Sequence, residues 1–221
     1  MNYIKKFLLK TLSFLNDKYD SVITKTSWFD IVNQVDTAKY IDREKLYDSI
    51  DSPNKFHMRR YVPTDQKQLS KALEELIRID KSVLNDTFVD YGCGKGKVLI
   101  FAEKMGFNNI VGIEFSKSLY EICSRNVEKT KSNKIYLLCK DATQYEPPED
   151  IRTFYFYDPF EPFVVEKALR KIQDSIKKNP RDSYIVYVDP RNIGQLNPDE
   201  YELLFNDPGP ANPFHIYKII I

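Results

Sequence analysis

Two histidines and three cysteines are all that this 221-residue chain holds of the usual transition-metal ligands. The cysteines, Cys93, Cys123 and Cys139, are odd in number and lack metal-ligand spacing. They read as reduced thiols of an intracellular, cytoplasmic protein. No apolar stretch is long enough to span a bilayer, and there is no internal repeat or low-complexity tract. Charge of one sign is also missing, the net being +1. That balance disfavours binding driven by phosphate neutralisation over the whole surface, so nucleic acid is a less favoured partner, with only a local basic groove left open. With 42% hydrophobic and 14% aromatic residues the composition is globular, and the length fits one domain with an extension.

Glycine is absent from the first residue to Asn54, where Ser52-Pro53-Asn54 breaks a polar stretch with scattered aromatics. Residues 1–60 therefore read as a mostly helical extension and residues 61–221 as the domain proper. Lys5 and Lys6 precede Phe7-Leu8-Leu9, but Lys10 interrupts the run and no small-residue cleavage site follows. Ile4, Phe7, Leu8, Leu12 and Leu15 recur at helical spacing. They predict an amphipathic helix packed on the domain, with a membrane-surface helix as the alternative. A second amphipathic helix is predicted between Thr64 and Ile79 from Leu69, Leu73, Leu76 and Ile77, with Thr64 as its N-cap.

What glycine there is concentrates in Asp90-Tyr91-Gly92-Cys93-Gly94-Lys95-Gly96-Lys97. The β-branched and aromatic run before it stops at a carboxylate, and Val98-Leu99-Ile100-Phe101-Ala102 resumes as a buried helix. Strand, glycine turn and helix follow in that order, and alternate glycines let a ligand lie against bare main chain. The dinucleotide pattern G-x-G-x-x-G fails because Lys97 stands where its third glycine belongs, which weakens a nicotinamide-dependent oxidoreductase. The phosphate-cradling G-x-x-x-x-G-K-[ST] fails at Tyr91 and Val98, which disfavours ATP hydrolysis.

A second apolar run, Asn109 to Glu114, also ends in an acid, followed by Phe115. With the D-x-G-x-G-x-G loop this resembles the class I, Rossmann-like S-adenosylmethionine-dependent methyltransferases, over roughly Tyr61 to Asp189. Strands near Thr87, Asn109, Lys134, Arg152 and Ser183 alternate with helices beginning near Lys97, Lys117 and Pro162. That alternation predicts an α/β, doubly wound, mostly parallel sheet. The resemblance implies seven strands, closed by a C-terminal β-hairpin from Tyr201 to Ile221.

The resemblance also implies a cofactor site. Asp90, Gly92, Gly94 and Gly96 would form its loop, Glu114 would take both ribose hydroxyls with Phe115 beside it, and Asp141-Ala142 would meet adenine. The bottom-up chemistry agrees, since S-adenosylmethionine carries no pyrophosphate and needs acceptors for hydroxyls and an ammonium. Tyr61-Val62-Pro63-Thr64 looks like a segment of small bacterial methyltransferases, and of lysine N-methyltransferases related to the enzyme that modifies the ATP synthase c-subunit, where it lies over the cofactor's methionine end. Asp158-Pro159-Phe160 resembles part of the Asp/Asn-Pro-Pro-Tyr/Phe motif of amino-group methyltransferases. The second proline is missing, which tells against nucleobase methylation.

Asp158, Phe160 and Tyr61 are thus the catalytic candidates, with Tyr61, Thr64 and Asp158 also near the cofactor. No metal is called for. The expected reaction is methyl transfer to an amine nitrogen, of a protein lysine or another amine. An O-methyltransferase for a small molecule or glycan, and a non-catalytic cofactor-binding protein, are the alternatives. Asp158-Pro159 as a turn and Asp141 as a cap are the structural readings of those motifs.

Overall fold

The computed structural model describes residues 27–190, 196–209 and 213–220. The helix expected at Ile4, Phe7, Leu8, Leu12 and Leu15 lies outside them. Among the described residues the helices are α1 (Trp28–Asn33), α2 (Arg43–Tyr47), α3 (Gln66–Ile79), α4 (Lys97–Met105), α5 (Lys117–Thr130) and α6 (Pro162–Lys178). The strands are β1 (Thr87–Tyr91), β2 (Asn109–Glu114), β3 (Ile135–Cys139), β4 (Ile151–Tyr157), β5 (Tyr184–Val188), β6 (Tyr201–Asp207) and β7 (Phe214–Ile219). They form one sheet in the order β3-β2-β1-β4-β5-β7-β6. β1 to β5 run parallel, and β7 pairs antiparallel with both β5 and β6.

β1 sits centrally and is buried along its whole length, as a strand covered on both faces must be. Its side chains alternate between two cores. Phe88 faces the layer of α3 and α4 with Leu69, Leu73, Leu76 and Leu99. Val89 and Tyr91 face the layer of α6 with Val165, Leu169 and Ile172. On that second face Tyr91, Phe156 and Tyr187 stack across β1, β4 and β5, with ring centroids 4.7 and 5.6 Å apart. Such contacts add about 0.5–1.5 kcal/mol per pair beyond area burial and lock the lateral register of the three strands.

The chain reverses direction in the sheet between β1 and β4, because β2 and β3 wind one way from β1 and β4 and β5 the other. A crevice therefore opens beyond the carboxyl ends of β1 and β4, the usual ligand position of such sheets. Residues 36–62 run as a strap over this crevice. They are fixed by antiparallel bridges from Ile41 to Tyr61 and from Met58 to Phe160, and by a small core of Leu46, Ile50, Met58 and Leu119.

One predicted cap is corrected. Asp65, not Thr64, caps α3, its side chain accepting from the Gln68 N–H. Thr64 instead accepts at its carbonyl from Lys97 Nζ at 2.7 Å, which ties the segment between the strap and α3 to the start of α4.

Candidate active site

The glycine loop turns because Gly92, Gly94 and Gly96 all take positive φ, at 81°, 54° and 86°. Only glycine adopts such angles without strain. Space is equally decisive. A Cβ on Gly92 would stand 2.5 Å from Pro159 Cβ, and one on Gly94 2.5 Å from the Tyr61 ring. Gly92 and Cys93 both donate their N–H to the Ile113 carbonyl at 2.9 Å, so the loop is stitched to the end of β2.

Glu114 ends β2 inside this loop. Its Oε2 accepts from Gly94 N at 2.9 Å and its Oε1 from Ser116 N at 2.8 Å. Burial raises its pKa to about 7, against the backbone hydrogen bonds of Ser116, Gly94 and Phe115, which pull it down. Asp90, at the end of β1, is raised well above the carboxylate range by burial and by the neighbouring Glu114. Its Oδ2 is buried with no hydrogen-bond partner among the described residues. An acceptor left so in a native fold costs about 1–3 kcal/mol.

These groups line a cavity of about 850 Å³. That lies in the upper part of the roughly 300–1,000 Å³ range of small-molecule sites, enough for a cofactor with an acceptor beside it. Its wall includes Tyr61, Thr64, Asp90, Gly92, Gly94, Glu114, Phe115, Asp158 and Phe160, so most of the predicted residues meet there. Tyr61 lies against Gly94 and donates its hydroxyl to the Thr37 carbonyl at 2.7 Å. Phe160 packs edge-on against Phe115, with centroids 5.9 Å apart. Asp158 follows β4 with φ at 35°, its N–H bonded to the Val188 carbonyl at 3.2 Å and its Oδ2 3.3 Å from Arg59 Nη1. A non-glycine residue at positive φ carries strain of about 1–3 kcal/mol, and such positions concentrate at functional sites.

Three predicted residues are not brought to this wall. Gly96 caps α4 and faces α5, where a Cβ would stand 2.7 Å from Cys123 Sγ. Its glycine is a packing requirement. Asp141 turns into the strap instead. It accepts from Ser52 Oγ, from Asn54 Nδ2 at 2.8 Å, and from both the N–H and the hydroxyl of Thr143 at 2.8 Å. Ala142 is buried in the short 3₁₀ turn that Asp141 caps.

The sequence reading also missed contributors. Asp189 follows β5 at φ 57° and lines the cavity, as do Arg43, Arg59 and Arg60 of the strap. Asp189 carries the same signal as Asp158, an apolar strand that stops at an acid. The arginines carry none, because the strap has no periodic pattern to place them. Neither His57 nor His215 is in the wall; His57 Nδ1 lies 2.8 Å from Glu161 Oε2 and His215 Nδ1 2.8 Å from Tyr217 Oη.

A family model described as a methyltransferase domain matches residues 88–179. The chain is 36% identical over 70 residues to ribosomal protein L11 methyltransferase of Paraburkholderia phymatum, covering 32% of this chain and 22% of that protein. It thus spans about a fifth of the length of the curated relatives it matches. An RNA methyltransferase from Salinibacter ruber, solved with S-adenosyl-L-homocysteine, superposes with a TM-score of 0.56 at 19% identity, over 72% of this chain and 94% of that one. Magnesium protoporphyrin IX methyltransferase from Synechocystis PCC 6803 gives 0.55 at 11%, over 70% and 83%. At these identities the likeness is one of fold.

Proposed function

We propose that this chain is a class I, Rossmann-like S-adenosylmethionine-dependent methyltransferase, as its methyltransferase-domain match and its fold support, and that it binds S-adenosylmethionine in the cavity and methylates an amine nitrogen. The observation that carries the cofactor reading is the unpartnered, buried Asp90 Oδ2 of a residue that lines one cavity with Gly92 and Gly94. Asp90 and the loop of Gly92 and Gly94 would hold the amino-acid end, with Tyr61 and Thr64 above it. Glu114 would accept the ribose hydroxyls on the lone pairs that its two backbone donors leave open. When bound, the cofactor supplies an activated methyl on a positive sulfur, so no metal or redox group is needed for the transfer.

The protein's part is to align the acceptor, exclude water and take a proton. Tyr157, Phe160 and Phe115 form an apolar wall beside Asp158. An amine drawn between them loses hydration, which favours its neutral, nucleophilic form. Asp158 orients the nitrogen and passes its proton outward, as a carboxylate can when a few ångströms from the reacting atom. Oxygen methylation of an alcohol would call for a stronger base. The absence of both histidines from the described cavity wall favours nitrogen.

The test is methyl transfer from labelled S-adenosylmethionine to a fractionated lysate, the product identified by mass. Label on an amine supports the assignment. Label in an ether or ester overturns it in favour of the O-methyltransferase.

A further inference from the structure

The charges around the cavity divide largely by the element that bears them, Lys97 at the start of α4 being a further cation in the wall. Its lining carboxylates, Asp90, Glu114, Asp158, Glu161 and Asp189, all come from strand ends or the loops just beyond them. Its lining guanidiniums, Arg43, Arg59 and Arg60, all come from the strap. Asp90, Glu114 and Lys97 are buried, Asp158, Glu161, Asp189 and Arg59 are half-buried, and Arg43 and Arg60 are exposed. Buried carboxylates thus dominate the deep wall, beside the buried Lys97, and the exposed lining charges are Arg43 and Arg60, with the half-buried Glu161 near Arg43.

Arg59 is engaged within the protein, with Asp158 at 3.3 Å and the Phe160 carbonyl at 3.0 Å. Arg43 gives one N–H to the Phe56 carbonyl at 2.6 Å, and the Arg60 guanidinium lies 5.7 Å from the Tyr40 ring centre. Among the described residues no carboxylate is in ion-pair contact with either Arg43 or Arg60. Each guanidinium has five donors, so these contacts use only a small part of their capacity. An amine carrying only its own positive charge meets like charge at these two arginines before it reaches Asp158. An anionic group on the same molecule reverses that, because guanidiniums bind carboxylate and phosphate through paired, charge-assisted hydrogen bonds.

We propose that the acceptor is a small amine that also bears a carboxylate or phosphate, with Arg43 and Arg60 holding the anion while the nitrogen lies at Asp158. This rests on the amine-methyltransferase reading and narrows its substrate class. It also assigns the strap a purpose: the segment that covers the crevice selects what enters.

Calorimetric titration of the full chain, saturated with S-adenosyl-L-homocysteine, tests it with four probes: O-phosphoethanolamine, 4-aminobutyrate, n-butylamine and inorganic phosphate. The expected result is that O-phosphoethanolamine or 4-aminobutyrate binds at least tenfold tighter than n-butylamine. Whichever is tighter tells phosphate from carboxylate. In the Arg43→Gln, Arg60→Gln double variant that preference should vanish, while S-adenosyl-L-homocysteine affinity, the check on folding, stays within about twofold; Arg43→Lys, Arg60→Lys should keep part of it. Equal binding of n-butylamine by the parent chain, or a preference that survives the glutamine variant, overturns the inference. Inorganic phosphate that binds in an arginine-dependent way while no amine binds supports the anion site and instead overturns the amine reading.

Discussion

At the scale of single residues, Glu114 and Asp90 show how burial sets chemistry. Glu114 is moved from its ordinary 4.5 to about 7 by desolvation, outweighing three backbone donors. A carboxyl whose folded pKa is raised stabilises the fold fully below its unfolded pKa, and that contribution is lost as pH rises through the folded one. The cofactor-free protein should therefore lose on the order of 3 kcal/mol of unfolding free energy from this group between pH 4.5 and 7. Glu114→Gln should remove most of that slope, as denaturant titrations across the same range would reveal. The cofactor's affinity should move the other way. Losing a carboxylate that accepts two hydroxyls costs about 1.5–3 kcal/mol, so Glu114→Ala should weaken S-adenosyl-L-homocysteine at least tenfold by calorimetry. Unchanged affinity would remove Glu114 from the ribose site. Asp141 belongs to the other kind of buried acid. Donors from Ser52, Asn54 and Thr143 hold its carboxyl below the usual range, although burial, the largest single influence, raises it. Asp141→Ala should cost about 1–3 kcal/mol of stability in urea without cofactor.

At the scale of elements, the glycine loop and the turn after β4 depend on each other. Gly92 can approach Pro159, and Gly94 the Tyr61 ring, only because neither has a side chain. Gly94→Ala adds both a clash and a strained φ, so it should lower the melting temperature and abolish detectable cofactor binding. A variant with parental affinity would mean the loop has room that its geometry denies. Asp158→Ala is expected to behave differently. It leaves the loop and Glu114 in place while removing the group that orients the acceptor, so turnover should fall on the order of 10²-fold with cofactor affinity little changed. Measured kcat and S-adenosyl-L-homocysteine affinity, taken together, separate the two roles.

At the scale of the whole molecule, the edge of the sheet away from the cavity is pinned by one cation. Arg152 on β4 reaches Asp80 at 2.6 Å and Asp86 at 3.0 Å and donates to the Asp182 carbonyl, joining the carboxyl-terminal end of α3 to the amino-terminal ends of β1, β4 and β5. Burial would raise Asp80, but hydrogen bonds from Ser82, Arg152 and Tyr184 hold it at about 2. Arg152→Leu should therefore lower stability by about 1–3 kcal/mol at neutral pH, and the deficit should shrink as pH falls towards 2 and Asp80 protonates. Urea denaturation at pH 7 and pH 3 would show whether it does.

The sequence by itself determined the alternation of strand and helix, the glycine loop and the acids that end β1, β2 and β4. Apolar period, glycine and terminal carboxylate are local signals, and a buried parallel strand declares itself wherever it stands. Start points predicted at Lys97, Lys117 and Pro162 coincide with α4, α5 and α6 for that reason. Only the tertiary structure decided which of those local features share a cavity. It turned Asp141 into the strap, set Gly96 against Cys123, and brought Asp189 and the arginines of residues 43–60 to one cavity, because a site assembled from four strand ends and a covering strap is a matter of long-range packing. No window of neighbouring residues encodes which acid a distant serine and asparagine will reach first.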